Sequence, residues 1–208
     1  GGYTDQTGYI LNDDYSRATF RINFDIKASE WLTLGANTFG SFTDFSGAFP
    51  DMSVLGISTP LVKPKDENGE YILTPDGSHV NPFLSAQANN KELKNNLSGI
   101  FYGIINIPWV KGLSYRVNYS NNLRWFNTYS SNEYGGGFSG EASKAIANSH
   151  DVMIDNILTY DRQLNSHRIT GTLVAGYSKN QWERTEAEGS NYANLSLLYN
   201  SLEQGVIQ

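Results

Sequence analysis

Between residues 17 and 27 every odd position is polar and every even position is apolar: Arg17, Thr19, Arg21, Asn23, Asp25 and Lys27 alternate with Ala18, Phe20, Ile22, Phe24 and Ile26. A period of two belongs to a strand with one face in an apolar medium and the other in water. After a turn at Ala28, Ser29 and Glu30, a second strand puts Leu32, Leu34, Ala36, Thr38, Gly40 and Phe42 on one face and Thr33, Asn37 and Ser41 on the other. The two read as a hairpin.

The pattern returns twice. A strand over 93–107, whose apolar face is ambiguous, turns through Pro108, Trp109, Val110, Lys111 and Gly112 into one where Leu113, Tyr115, Val117 and Tyr119 alternate with Ser114, Arg116, Asn118 and Ser120. A third hairpin joins a strand bearing Val152, Ile154, Leu158 and Tyr160 to one bearing Ile169, Leu173, Ala175 and Tyr177, through a turn at 163–166. The reading is an all-β, antiparallel up-and-down transmembrane barrel segment of about seven strands, near 1–7, 15–28, 31–45, 93–107, 113–126, 149–161 and 167–182. Long loops are expected at 46–92, 126–148 and 183–208, with Glu141 to Asn148 the only helix-like stretch.

Alternation alone fits a soluble sandwich as well as a membrane barrel. Three features favour the barrel. Runs of roughly 11 to 15 residues exceed globular strands and, tilted near 40°, cover about 30 Å of membrane. Short turns at one end and long loops at the other match the periplasmic and extracellular ends of such barrels. Trp31 and Trp109 sit at the short turns, while Trp125 and Trp182 end strands at the long loops, giving two candidate interface belts. The polar face with Arg21, Asp25, Arg116, Asn118, Asp151 and Asp155 then lines a lumen too wide for a small barrel. About seven strands leave open edges that lipid does not tolerate, so the sequence reads as a piece of a larger wall.

The strings Asp14-Tyr15-Ser16-Arg17, Phe20-Arg21-Ile22-Asn23-Phe24-Asp25 and Glu30-Trp31-Leu32-Thr33-Leu34-Gly35 resemble the early barrel of SusC/RagA-like TonB-dependent transporters of Bacteroidetes outer membranes. Asn68-Gly69-Glu70-Tyr71 with Asn81-Pro82 resembles that family's first long loop, Val110-Lys111-Gly112-Leu113 its next periplasmic turn, and Leu158-Thr159-Tyr160-Asp161 with His167-Arg168-Ile169-Thr170 the third. The resemblance implies a 22-stranded barrel in the outer membrane of a Gram-negative bacterium, importing glycans or peptides. It also implies a SusD-like surface lipoprotein as partner, and energy from the TonB–ExbB–ExbD system through a plug region that this sequence does not contain. A passive porin and a soluble β-sandwich, binding glycans or acting as an adhesin, are the rival readings.

Other chemistry has little support. A net charge of −6 without a basic cluster argues against nucleic acid. Cysteine is absent, removing disulfides and thiolate sites, and no run approaches the roughly 18 apolar residues of a spanning helix. Gly135, Gly137 and Gly140 match G-x-G-x-x-G, but the preceding residues are not a buried apolar strand, so a loop tip is the better reading. Asp66, Asn68 and Glu70 lack the glycine placement and terminal Glu of a calcium loop, and His79, His150 and His167 are too scattered for a metal site. Asn118-Tyr119-Ser120 is a sequon by letters only, being inside a strand. No acid–base pair stands out, so neither catalysis, cofactor nor metal is expected. Phe126, Asn127, Tyr129, Asn132, Tyr134 and Phe138 are the candidate substrate contacts at the outer mouth, where aromatic rings can stack on sugars or peptide side chains.

Overall fold

The computed structural model describes residues 1–192, 194 and 197–207. They form one open sheet of eight strands, each antiparallel to its chain neighbours, in the order β1 to β8. The strands are β1 (Gly2–Thr7), β2 (Asp14–Lys27), β3 (Leu32–Asp44), β4 (Asn89–Asn106), β5 (Leu113–Asn132), β6 (Glu141–Leu164), β7 (His167–Ser190) and β8 (Val206–Ile207). The very short β8 adds to the seven expected, pairing only with Gly189 and Ser190.

Several expected loops are strand instead. β5 runs on to Asn132 and β6 begins at Glu141, so the loop expected over 126–148 shrinks to 133–140, and the helix-like stretch from Glu141 is strand. Alanine-rich helix propensity there is weak compared with ladder bonds on both sides, since β6 pairs along this stretch with β5 and β7. β7 likewise continues to Ser190, through the first part of the loop expected over 183–208; residues 193, 195, 196 and 208 of that loop lie outside the described residues. The helices α1 (Met52–Leu55) and α2 (Gly135–Phe138) are single turns, and no described helix is long and apolar enough to cross a membrane.

Residues directly opposite across a ladder share a face, so the register sorts the two walls. Phe20, Ile22, Phe24 and Ile26 stand with Gly40, Thr38, Ala36 and Leu34, and the same outward face carries Leu97, Phe101 and Ile105 of β4, Tyr115, Val117 and Tyr119 of β5, and Leu158 and Leu173 of β6 and β7. β4 was ambiguous because Ile100 and Ile104 point the other way, while Gly99 and Gly103 leave gaps outside. Two glycines make room for rings: a Cβ on Gly40 would strike Phe20, and one on Gly35 would strike Tyr102.

This single layer has no second sheet to bury its apolar face. Among the described residues the buried apolar side chains are Ala36, Ala48, Leu84, Ala86 and Ala142, whereas Ile22 and Ile26 are more than half exposed. A water-soluble sandwich would hide such residues; hydrocarbon solvates them without a core. Polar groups set among them are hydrogen-bonded: Asn156 accepts from the Tyr115 hydroxyl at 2.5 Å, and the Thr38 hydroxyl donates to the Ile22 carbonyl at 3.1 Å.

On β6 and β7 the outward apolar run stops at His150 and Lys179, whereas on β5 Leu123 and Trp125 extend it past Asn121. A strand as long as β6 rises about 60 Å when tilted near 40°, roughly twice the hydrocarbon thickness, so its upper half stands beyond the lipid.

The long loop 45–88 is an ordered cap. Asn81, 1% exposed, donates from Nδ2 to the carbonyls of Pro64 at 2.7 Å and Ile72 at 2.8 Å, and its Oδ1 accepts from the Phe83 amide at 3.1 Å. Asn12, at the β1–β2 turn, donates to the carbonyls of Ala48 and Ala86 and moors the cap to the wall. Asp66 accepts from the amides of Asn68 and Glu70, closing the Asn-Gly turn between Lys65 and Tyr71.

Candidate functional site

The inner face is built from rows of polar side chains that cross the strands. One row runs Arg21, Phe39, Ser98, Asn122, Asp151 and Asn180 from β2 to β7; another runs Asp25, Gly35, Tyr102, Asn118, Asp155 and Gly176. Arg116 shares this face, one inward position from Asn118. All six polar residues assigned to the lumen therefore occupy one wall.

Their side chains are tied together. Asp151 accepts from Arg124 Nη2 at 2.7 Å, from Asn122 Nδ2 at 3.3 Å and from Asn180 Nδ2; Arg124 Nη2 also reaches Ser149 Oγ at 2.9 Å, and Asn96 Nδ2 donates to Asn122 Oδ1 at 3.1 Å. The Arg124–Asp151 pair is about a third exposed, so it contributes roughly 1 kcal/mol or less. It matters more for geometry, holding donors and acceptors from β4 to β7 in one network. Lower on the wall the Tyr102 hydroxyl donates to Asp25 across Gly35, and the Arg116 guanidinium lies 4.6 Å from the Tyr102 ring centre while its Nε donates to Asn118 at 2.7 Å. The inner face borders an open hollow of about 770 Å³ lined by Arg21, Asn122, Asp151 and Asn180 together with Phe39, Ile100 and Met153. Such a wall can solvate and orient a polar occupant; it holds no nucleophile–base arrangement, and no cluster of metal-binding side chains occurs among the described residues.

The expected substrate contacts do not converge. Phe126, Asn127, Tyr129 and Asn132 are on β5 rather than in a loop. Phe126 and Asn132 face inward, opposite Ala147 and Glu141, whereas Asn127 and Tyr129 face outward. Tyr129 is already engaged, 5.1 Å from Tyr199 and under the Lys144 ammonium at 5.0 Å, and the Tyr199 amide donates to Ser131 Oγ, clasping the β7–β8 loop to β5. Only Tyr134 and Phe138 lie on the loop 133–140, where burial and the Glu133 carboxylate push the Tyr134 phenol up.

Of the four tryptophans, Trp31 and Trp109 occupy the short turns and Trp125 faces outward at the top of the apolar run. Trp182 departs from the expected belt: it lies opposite Ser149, in the inward row of Arg124. The signal was in the sequence, because a two-residue period carried from the outward Tyr177 puts position 182 inside. His79 pairs with Asp76 at 2.7 Å in the cap, and His150 with Asn121 at 2.9 Å on the wall. Backbone N–H donation from His79, then its side chain and the Ser78 N–H, hold the Asp76 carboxyl well below the usual carboxylate range.

Comparison with known proteins supports the family resemblance. The chain is 23% identical along its whole length to TonB-dependent receptor P3 of Formosa agariphila and 26% identical over 96% of its length to TonB-dependent receptor P26 of the same bacterium. It spans 22% and 21% of those two relatives, about a fifth of each. Its fold matches chains in the solved RagAB peptide importer, with a TM-score of 0.75 in the closed-closed state and 0.69 in the open-open state. These matches cover 98% of this chain and 24% of the other, at 19% and 20% identity. No protein-family model matches.

Proposed function

We propose that this chain is a stretch of the wall of an energised outer-membrane importer similar to the SusC/RagA-like TonB-dependent receptors. The observation that carries the reading is the division of one uncored sheet into an exposed apolar face and a hydrogen-bonded polar face. Lipid solvates the first, water and cargo meet the second, and further strands complete the barrel so that no ladder edge is bare in hydrocarbon. In this reading the complete protein carries about 22 strands and a plug, which couples to TonB–ExbB–ExbD. A SusD-like lipoprotein closes over the outer mouth, formed here by the cap 45–88 and the upper parts of β5 to β7. The cargo is a glycan or a peptide, and the chain performs no catalysis.

The test uses cells that make the full-length protein. Fractionation followed by mass spectrometry of the segment 117–125 should find it in outer membranes, within a polypeptide several times longer than this chain. Deleting the parent gene should abolish growth on one glycan or peptide source, and removing TonB should reproduce that loss. Recovery in a soluble fraction, or uptake indifferent to TonB, overturns the proposal; the second result would point to a passive porin.

A further inference from the structure

We propose that Arg162 and Lys111 form a binding site for the phosphate of an anionic phospholipid in the periplasmic leaflet; the inference rests on the importer reading above. Leu158, Tyr160 and Arg162 are successive outward positions on β6, so the apolar run ends in a guanidinium on the lipid side of the wall. From His150, where that run stops at its other end, the strand descends about 30 Å to Arg162 at a tilt near 40°, which is the hydrocarbon thickness. Arg162 therefore stands at headgroup level, on the side of the short turns.

The β4–β5 turn meets it there. The Gly112 carbonyl accepts from the Asp161 amide at 2.8 Å, and a Cβ on Gly112 would lie 3.3 Å from that of Arg162. Lys111 precedes Gly112 in the turn, so two exposed cations share one corner of the wall. Like charges placed together destabilise a sheet unless an anion lies between them. No carboxylate of the described residues does so. Asp161 faces inward, accepting from Arg168 Nε at 2.8 Å and Thr170 Oγ1 at 3.3 Å, and Glu30 on the β2–β3 turn is within ion-pair distance of neither cation. Both flanks of Arg162 belong to this chain, β7 on one side and the turn on the other. Strands that complete the barrel extend the outward face and leave this corner open to lipid.

The surroundings select the occupant. A guanidinium fork matches two phosphate oxygens, and an ammonium adds a second charge without a fixed geometry. Trp109, 83% exposed in the same turn, suits the headgroup layer, and Leu113, Tyr160 and Leu158 offer an apolar track for the acyl chains. A zwitterionic head brings its own cation against the pair. A glycerol-type head, whose only charge is the phosphate, does not.

The experiment takes the full-length protein from outer membranes in detergent, strips it of lipid and titrates it with phosphatidylglycerol, phosphatidylethanolamine or phosphatidylcholine of identical acyl chains, or with inorganic phosphate, counting bound molecules by native mass spectrometry. Wild type is compared with Arg162→Gln, Lys111→Gln, the double variant and Lys63→Gln, which removes a cation from the cap; each is first shown to be heat-modifiable as a folded barrel. Phosphatidylglycerol should bind wild type in preference to the other two lipids, the double variant should weaken it about tenfold or more, and Lys63→Gln should bind as wild type does. Equal binding of the three lipids, equal affinity for wild type and the double variant, or an equal loss in Lys63→Gln overturns the site. Inorganic phosphate bound as tightly as phosphatidylglycerol overturns the lipid assignment in favour of a free anion. If the site fails while the protein still resides in outer membranes and supports TonB-dependent uptake, the importer reading stands.

Discussion

Placing one arginine at each of two adjacent positions of β2 tests the division of faces directly. Ile22 lies at the centre of the outward run from Ala18 to Ile26, four residues from either end and directly opposite Thr38. Four residues at about 3.3 Å each, tilted near 40°, give about 10 Å of hydrocarbon above and below it, which is close to the midplane. Ile22→Arg should therefore cost about 2–4 kcal/mol of folding stability in a bilayer. Since 1.4 kcal/mol is a factor of ten, the folded-to-unfolded ratio falls roughly 30- to 700-fold. Asn23→Arg puts the same side chain into the lumen, opposite Asn37, and should stay within about 0.5 kcal/mol of wild type. The assay is reversible urea unfolding of the full-length protein in lipid vesicles, followed by tryptophan fluorescence and gel mobility. Equal costs at the two positions, or a larger cost at Asn23, would refute the assignment of faces.

Gly35→Val should displace the Tyr102 ring and break its bond to Asp25, lowering the yield of assembled barrel, whereas the same change at Gly171, where nothing lies within 4 Å, should leave it unchanged; the folded fraction on a gel decides. Asn81→Ala removes two carbonyl partners at a buried site and should cost the cap about 1–3 kcal/mol, visible as faster amide exchange at Leu84 with the wall unaffected. Asp76 has a depressed pKa in the folded cap, so its contribution is complete above the unfolded value near 3.9 and is lost as pH falls through the lower folded value. Protection of the Ser78 and His79 amides should hold from pH 7 to about pH 4 and fade only below it; fading between pH 7 and 5 would contradict the assignment.

The lower wall was legible because lipid imposes a strict alternation. From Arg17 to Lys27 and from Leu113 to Ser120 each residue declares its side. Legibility fails where the medium no longer differs between the faces. Above Trp125, His150 and Lys179 the outward face turns polar, the period-two contrast fades, and residues 126–132, 141–148 and 183–190 read as loop although ladder bonds continue through them. β4 was obscured for the opposite reason, with isoleucines on both faces and glycines outside. The substrate contacts were placed by proximity in sequence, which ignores strand parity: Phe126 and Asn127 are neighbours in the chain but stand on opposite sides of the wall. The Asp151 network draws on four strands, β4 to β7, and nothing local in the sequence announces it.

The unbroken neighbour-to-neighbour order of the strands has a kinetic consequence. Every ladder joins segments that are consecutive along the chain, so each hairpin can form on the edge presented by the last without waiting for distant partners. The step from β3 to β4 is the exception, since residues 45–88 must close there, whereas β5 to β6 closes over residues 133–140. The difference in loop-closure entropy is about 1.5 kcal/mol. The zipper should pause at that step, and the bonds of Asn81 and Asn12, which compact the long insertion against the growing edge, shorten the distance over which β4 must search for its register.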